Sequence, residues 1–469
     1  MQKKQGISLI VLVITIIVMI ILAASVIIAL SNTGVINRAN EAVKQTNESQ
    51  VQDLAALIWA DAYMDGKRGV ELETEVITKL VEQGIAEDTW NISVTDEGVQ
   101  VSIKVVVPED WNTSVREITS DGVPIPFGFV KSPYVGENKK NEGLVIYALT
   151  EEEISEGVTK ITTKDAGQQV SLETRNQFVW VPVDIEKFET LFKRVDYINT
   201  TSLISNELGS EAFWELVLDS NNMPIEGQDS YVDSMSESPY VPTTTISEAR
   251  AMYASVKKYG GFYIARYEAG GNTLDANNNG TGDISITMGK YPCSNLNAMS
   301  IARSFYTTTN DKYGVVSTLT YGVQWDRTLS WWKELDSNIN LTSDLTFGNF
   351  LTTTYTIEDL NINAKQATFL NYVDDTGIRN WTTADAKTEN SMMLLSTGAL
   401  KKTKVYNIYD MAGNTYEITM EGFGNETWNV ARGGAVAYSE GVAVRTDWNY
   451  GGNPTYDAIL GFRPSLYIK

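Results

Sequence analysis

Three spacings of apolar residues divide the chain. Residues 7–30 run for 24 positions without a charge, enough for a helix to cross a hydrocarbon core of about 30 Å. Lys3 and Lys4 precede the run, so the positive-inside tendency keeps the short N-terminus in the cytoplasm and sends the rest outside. The run exceeds the apolar core of an ordinary secretory signal, about 7 to 15 residues; cleavage near Ala23-Ala24-Ser25 is the alternative. After a break at Ser31-Asn32-Thr33-Gly34, Val51, Leu54, Ala55, Ile58 and Ala62 recur at helical spacing, with Gln50, Gln52, Asp53 and Asp61 off that face. This predicts a stalk helix. Residues 72–83 predict a second helix with Val76, Leu80 and Val81 inward, ended by Gly84. The spacing then changes to alternation at Val99, Val101, Ile103 and Val105, and residues 91–95 precede it across Asp96-Glu97-Gly98. That is a hairpin. Residues 31–107 thus form a stalk and small α/β head, and 108–122, with Pro108, Asp110, Asn112, Ser120 and Gly122, are expected as a linker. From Val123 onward, short apolar strands alternate with long polar loops rich in Tyr, Trp, Thr, Asn and Gly, and no repeat is evident. The fold class expected is α+β.

Composition narrows the chemistry. The 469 residues carry a net charge of −22, which repels nucleic-acid phosphates, so no nucleic-acid partner is expected. Histidine is absent and Cys293 is the sole cysteine. Intrachain disulfides, His-dependent triads and Cys/His zinc sets are thereby excluded. Cys293 itself reads as a small buried hydrophobe, and a bound metal would be a hard, oxygen-liganded cation such as calcium.

The opening Lys3-Lys4-Gln5-Gly6 followed by Ile7-Ser8-Leu9-Ile10 resembles the processing site of type IV prepilins over about the first sixty residues. The resemblance implies a leader (residues 1–6) removed between Gly6 and Ile7 by a prepilin peptidase, methylation of the new N-terminus, and a transmembrane helix over 7–30 that also packs with other pilin subunits. Val11 stands where the family usually has glutamate. In the family that carboxylate pairs with a neighbouring subunit's amine in a dry bundle, so a minor or tip subunit, or a tethered relative outside the filament, fits better than a repeating one.

Residues 123–469 contain, in order, "FVWVPV" (178–183), "GGFYIARYE" (260–268), "LTYGVQWD" (319–326), "YDMAGNTYEIT" (409–419), "ARGGA" (431–435) and "LGFRPSLYI" (460–468). Together they resemble the formylglycine-generating, or sulfatase-modifying-factor, family, whose fold is C-type-lectin-like. The family's oxidase binds copper through two cysteines, a soft pair suited to Cu(I). In "EGVAVRTDW" (440–448) the matching cysteine position is Val442. An enzyme is therefore not expected.

In "DMAGNTYE" the resemblance implies a structural calcium held by the side chains of Asp410 and Glu417 and the main-chain carbonyls of Gly413 and Thr415, oxygen donors suited to a hard cation. The alternative has Asp410 capping a turn and Glu417 as a buried acceptor. A second calcium-like stretch, "DANNNGTGD" (275–283), puts Asp275, Asn277, Asn279 and Asp283 at loop positions 1, 3, 5 and 9 with Gly280 at the turn, but Ile286 stands where a bidentate glutamate belongs. A plain loop is favoured. "RTDWNYGGNPTY" (445–456) mixes flat rings with short polar groups, as binding loops do. Arg445, Asp447, Trp448, Asn449, Tyr450, Asn453 and Tyr456 are the expected ligand residues, for glycan or protein; rings packed under their own loops are the alternative. Arg432 and Arg463 read as fold-stabilising donors.

The expected protein is thus a single-pass membrane protein with its bulk extracellular, pilin-anchored and non-catalytic, presenting a lectin-like binding domain at the cell surface or on a pilus. A structural pilus or pseudopilus component without a ligand is the second reading.

Overall fold

The computed structural model describes residues 35–85, 90–103, 107–161, 174–185, 245–275, 279–293, 298–341, 347–368, 380–423, 428–438, 441–443, 445–448 and 459–469. The leader site Gly6–Ile7 and the apolar segment 7–30 lie outside the described residues. Among the described residues, no helix is long and apolar enough to cross a membrane. The chain forms two compact units, residues 1–106 and 107–469.

In the smaller unit, helix α1 (Val35–Met64) and helix α2 (Gly69–Glu82) pack with strands β1 (Trp90–Thr95) and β2 (Gly98–Ile103). The predicted stripe is the packing face: Ala55 and Ala62 are buried with Leu72, Val76, Leu80, Val99 and Val101, and Val51, Leu54 and Ile58 lean on them. Gly84 ends α2 with φ +82°, a left-handed value glycine adopts without cost. β1 and β2 pair antiparallel, Thr95 opposite Gly98. One expectation fails and another is extended. Val81 is 46% exposed rather than inward, because Leu72, Val76 and Leu80, at successive turns, already fill the buried face. Gln52 is not merely off the apolar face: its Nε2 donates to the Val99 carbonyl at 2.8 Å and its Oε1 accepts from the Val101 amide at 2.8 Å. One carboxamide thereby satisfies a donor and an acceptor on the outer edge of β2.

The larger unit begins earlier than expected. Residues 108–122 are not a bare linker: strand β3 (Val115–Ile118) pairs with β4 (Pro124–Pro126), and Val115 is buried in the core. Apolar Val115 and Ile118 on a short strand explain why the segment docks. A six-stranded antiparallel sheet follows, in the order β9 (Val315–Leu319), β14 (Pro464–Ile468), β8 (Gly261–Ala265), β7 (Gln177–Pro182), β6 (Val145–Ala148), β5 (Phe129–Lys131). Most of its positions are buried on both faces, so its strands read as continuous apolar runs such as "FVWV". Helices α3 (Thr245–Tyr259), α4 (Ala298–Ser304) and α5 (Gly322–Leu335) belong to the same unit, α3 packing on β8 and β14.

A second sheet has the order β12 (Arg445–Trp448), β11 (Trp428–Arg432), β10 (Tyr416–Phe423), β13 (Leu460–Phe462). β10 and β13 run parallel, and the other pairs are antiparallel. Helix α5 lies between the parts of this unit, and Trp325, Trp331 and Trp332 on it are buried. Arg327 on the same helix donates Nε to the Pro182 carbonyl of β7 at 2.9 Å and both terminal nitrogens to Glu334 at 2.9 Å.

Candidate functional site

The stretch "YDMAGNTYEIT" turns sharply because three of its residues adopt left-handed backbone: Asp410 (φ 59°), Gly413 (φ 72°) and Asn414 (φ 66°). Asp and Asn tolerate that region better than other side-chain-bearing residues. Gly413 is required twice over, since a Cβ there would lie 2.4 Å from the Asn349 carbonyl oxygen. The turn brings Asp410 and Glu417 beside Glu268 of a distant segment in one dry centre. Asp410 accepts from the Gly398 amide at 2.5 Å and the Thr403 hydroxyl at 2.8 Å. Glu417, the second residue of β10, is held by Arg463, whose Nε reaches Oε2 at 2.5 Å while Nη2 bonds Oε1. The same guanidinium donates to the carbonyls of Ala265 (3.0 Å) and Tyr409 (2.9 Å). Glu268, the last residue of "GGFYIARYE", accepts from Asn414 Nδ2 at 2.8 Å and the Thr415 hydroxyl at 2.7 Å.

All three carboxyls are buried. Desolvation raises the pKa of each, most strongly for Glu268, where the neighbouring charges of Asp410 and Glu417 add to it; Arg463 opposes the rise at Glu417. Burial beside those charges shifts Glu268 toward its neutral form. Of the residues expected to hold calcium, Asp410 and Glu417 have side-chain oxygens that already accept hydrogen bonds. Both Glu417 oxygens are taken by Arg463, Asp410 caps the 398–403 turn, and Thr415 binds Glu268. Among the described residues no group of three or more acidic or thiol side chains is arranged to hold a metal. The centre ties four segments together, with Asp410 accepting from the 398–403 turn and Glu417 accepting from Arg463.

On either side of the 275–283 stretch's first residues, Thr273–Leu274 pairs antiparallel with Gly280–Thr281. Asp275 accepts from the Asn279 amide at 2.9 Å, and Ile286 is fully buried. Asn277 lies outside the described residues.

The thiol question has a geometric answer. Val442, at the family's cysteine position, is buried, and its carbonyl accepts from Trp325 Nε1 at 3.2 Å. Cys293 is buried elsewhere in the core with its thiol pushed up to about 12, chiefly by desolvation, which disfavours the thiolate.

No family model, curated protein or solved structure matches the chain.

The candidate ligand segment starts on β12. Arg445 pairs across to Arg432, Asp447 to Val430 and Trp448 to Asn429, and among the described residues β12 is the edge strand of its sheet. Asn449, Tyr450, Asn453 and Tyr456 lie outside the described residues. The neighbouring strand is rigidly held: Arg432 is fully buried, donates to Asp326 at 2.6 Å and stands 5.7 Å from the Trp325 ring. Both arginines named in the sequence are thus internal donors.

One pocket went unnoticed in the sequence. It has a volume of about 450 Å³ and is lined by Glu248 and Ala251 of α3, Arg303 of α4, Thr307, Thr308, Val316, Ser317 and Tyr467. Arg303 clasps Glu248 through Nε (2.9 Å) and Nη2. Its residues come from four distant segments, so no local motif marks it.

Proposed function

We propose that this chain is a membrane-anchored, non-catalytic binding protein of the cell surface, processed and anchored like a prepilin, whose C-terminal unit presents a lectin-like surface at residues 445–456 to glycan or protein. The observation that carries the reading is a set of buried ion pairs behind β12, an edge strand among the described residues, whose sequence continues into an aromatic and polar stretch. Glu417–Arg463 and Asp326–Arg432 fix the sheet from inside, and β12 runs directly into "NYGGNPTY". A preorganised scaffold beneath a Tyr/Trp/Asn loop is how binding loops keep affinity without large ordering costs. Support for the absence of catalysis comes from the filled thiol position and from carboxylates that already have protein partners. The test is binding of the full chain in detergent to glycan and protein arrays. Specific retention of one ligand class is expected; an even, background-level response from folded protein would contradict the reading.

A second reading, a structural pilus or pseudopilus component, draws on the smaller unit. Leu57 and Met64 are 70% and 85% exposed on α1, and Val70 is 78% exposed on α2. Exposed apolar side chains at this spacing suit a neighbouring subunit. Concentration-dependent self-association lost in Leu57→Ser/Met64→Ser would favour it.

A further inference from the structure

We propose that Lys387 and Asn349 are the two halves of an intramolecular isopeptide cross-link, formed between the lysine side-chain nitrogen and the asparagine carboxamide carbon. Lys387 Nζ lies 3.2 Å from Asn349 Oδ1 and also donates to the Phe350 carbonyl. The two residues are 3% and 0% exposed. Among the described residues no carboxylate pairs with the amine, so its partners are uncharged oxygens.

The carboxamide is held in one orientation. Asn349 Nδ2 donates to the Met393 carbonyl at 2.9 Å and to Asn414 Oδ1 at 3.1 Å, which uses both of its hydrogens and turns the oxygen side toward Lys387. Asn414 is fixed in turn by Glu268 and by the Leu395 amide, which donates to its Oδ1 at 3.0 Å. Both backbones are clamped: Lys387 exchanges hydrogen bonds with Tyr355 (2.9 and 3.2 Å), while the Asn349 amide donates to Ala412 at 3.1 Å and its carbonyl accepts from Asn414 at 2.8 Å. Holding two reactants at contact distance replaces a bimolecular encounter with an effective molarity that reaches about 10⁵ M or more in favourable cases. Burial adds to this by lowering the amine to about 7, with the nearby Lys402 charge acting in the same sense. A large share of Lys387 is then the unprotonated nucleophile at mildly basic pH.

The step balances without a co-reactant. The Nζ lone pair attacks Asn349 Cγ, the Cγ–Nδ2 bond breaks, one Nζ proton goes to the departing nitrogen, and ammonia leaves. The product is a secondary amide joining Cε of Lys387 to Cγ of Asn349. Exclusion of water from the site removes the competing hydrolysis. The bond would close the loop spanning 349–387, limiting the unfolded chain as a disulfide does, in a protein whose single cysteine cannot form one internally.

The test is a tryptic map of the full-length protein. The expected result is a branched peptide joining residues 334–365 to 380–401, lighter by one ammonia than the sum of its parts and uncleaved after Lys387. Lys387→Met should abolish it, and Asn414→Ala, which frees the carboxamide to turn, should lower the cross-linked fraction. Recovery of 334–365 and 380–387 as separate, unmodified peptides from folded wild-type protein held at pH 9 would overturn the proposal. That recovery would leave the binding reading untouched.

Discussion

At the scale of single residues, the buried charges make the sharpest predictions. Arg463 and Glu417 are fully removed from water and bonded through two nitrogens. Glu417→Ala strands a guanidinium in a dry centre, and loss of one partner of such a pair costs about 3–5 kcal/mol. Chemical denaturation should show a loss of that size, whereas a change under 1 kcal/mol would mean water reaches the centre. Glu268 behaves differently because burial beside two other carboxyls pushes its pKa well up and favours the uncharged form. Glu268→Gln should therefore cost far less than Glu268→Ala, and the two are compared by their melting temperatures. Because Arg463 already occupies Glu417, a chelator should leave the melting temperature unchanged; a calcium-dependent shift would restore the cation reading of Asp410, Gly413, Thr415 and Glu417. The sequence carried part of this site. Asp410, Gly413, Asn414 and Glu417 stand in one quoted stretch and Glu268 ends another. What spacing could not carry is that Arg463, 46 residues beyond Glu417, reaches back onto it.

At the scale of elements, the short helix Glu151–Ser155 shows how side chains hold a segment too short to persist alone. Thr150 accepts from the Glu153 amide at 3.2 Å and Glu153 returns a carboxylate to the Thr150 amide at 2.8 Å, a reciprocal cap. Arg175 grips the same carboxylate with two nitrogens, at 2.5 and 2.6 Å, and holds its pKa down to about 2. A carboxyl with a lowered folded pKa stabilises above its unfolded value, near 4.5, and that contribution disappears as pH falls toward 2. Part of the acid lability below pH 4.5 should vanish in Arg175→Ala, measured as Tm against pH; because the pair is partly exposed, the effect shrinks with salt. Periodicity read α1, α2 and the hairpin well, since each has one buried face. It misplaced Val81, one position beyond the buried stripe, and gave no hint that Gln52 staples β2. In the larger unit, alternation gives little guidance because β7, β8 and β14 are buried on both faces.

At the scale of the whole molecule, the boundary near residue 107 sets what can be cut. A fragment starting at 107 keeps β3 and should unfold in one cooperative transition, whereas a fragment starting at 123 loses the partner of β4 and buried Val115. The second should melt lower or be recovered insoluble. The polar composition of 108–122 hid this, because Trp111, Val115 and Ile118 among turn residues suffice to build a docked edge. The anchoring proposal is checked separately by mass spectrometry of the chain from membranes: a mature N-terminus at methylated Ile7 is expected, and an intact Met1 or a start after Ala24 would contradict prepilin processing.

The central claim is that residues 445–456 bind a ligand and that the buried ion pairs of the sheet only support them. The measurement that tests it most directly is array binding of the full chain beside Trp448→Ala/Tyr450→Ala, with an unchanged melting temperature as the condition of comparison. The account predicts that the variant loses the ligand at least tenfold while remaining folded. Equal binding by the variant would place the ligand elsewhere on the molecule and contradict the account.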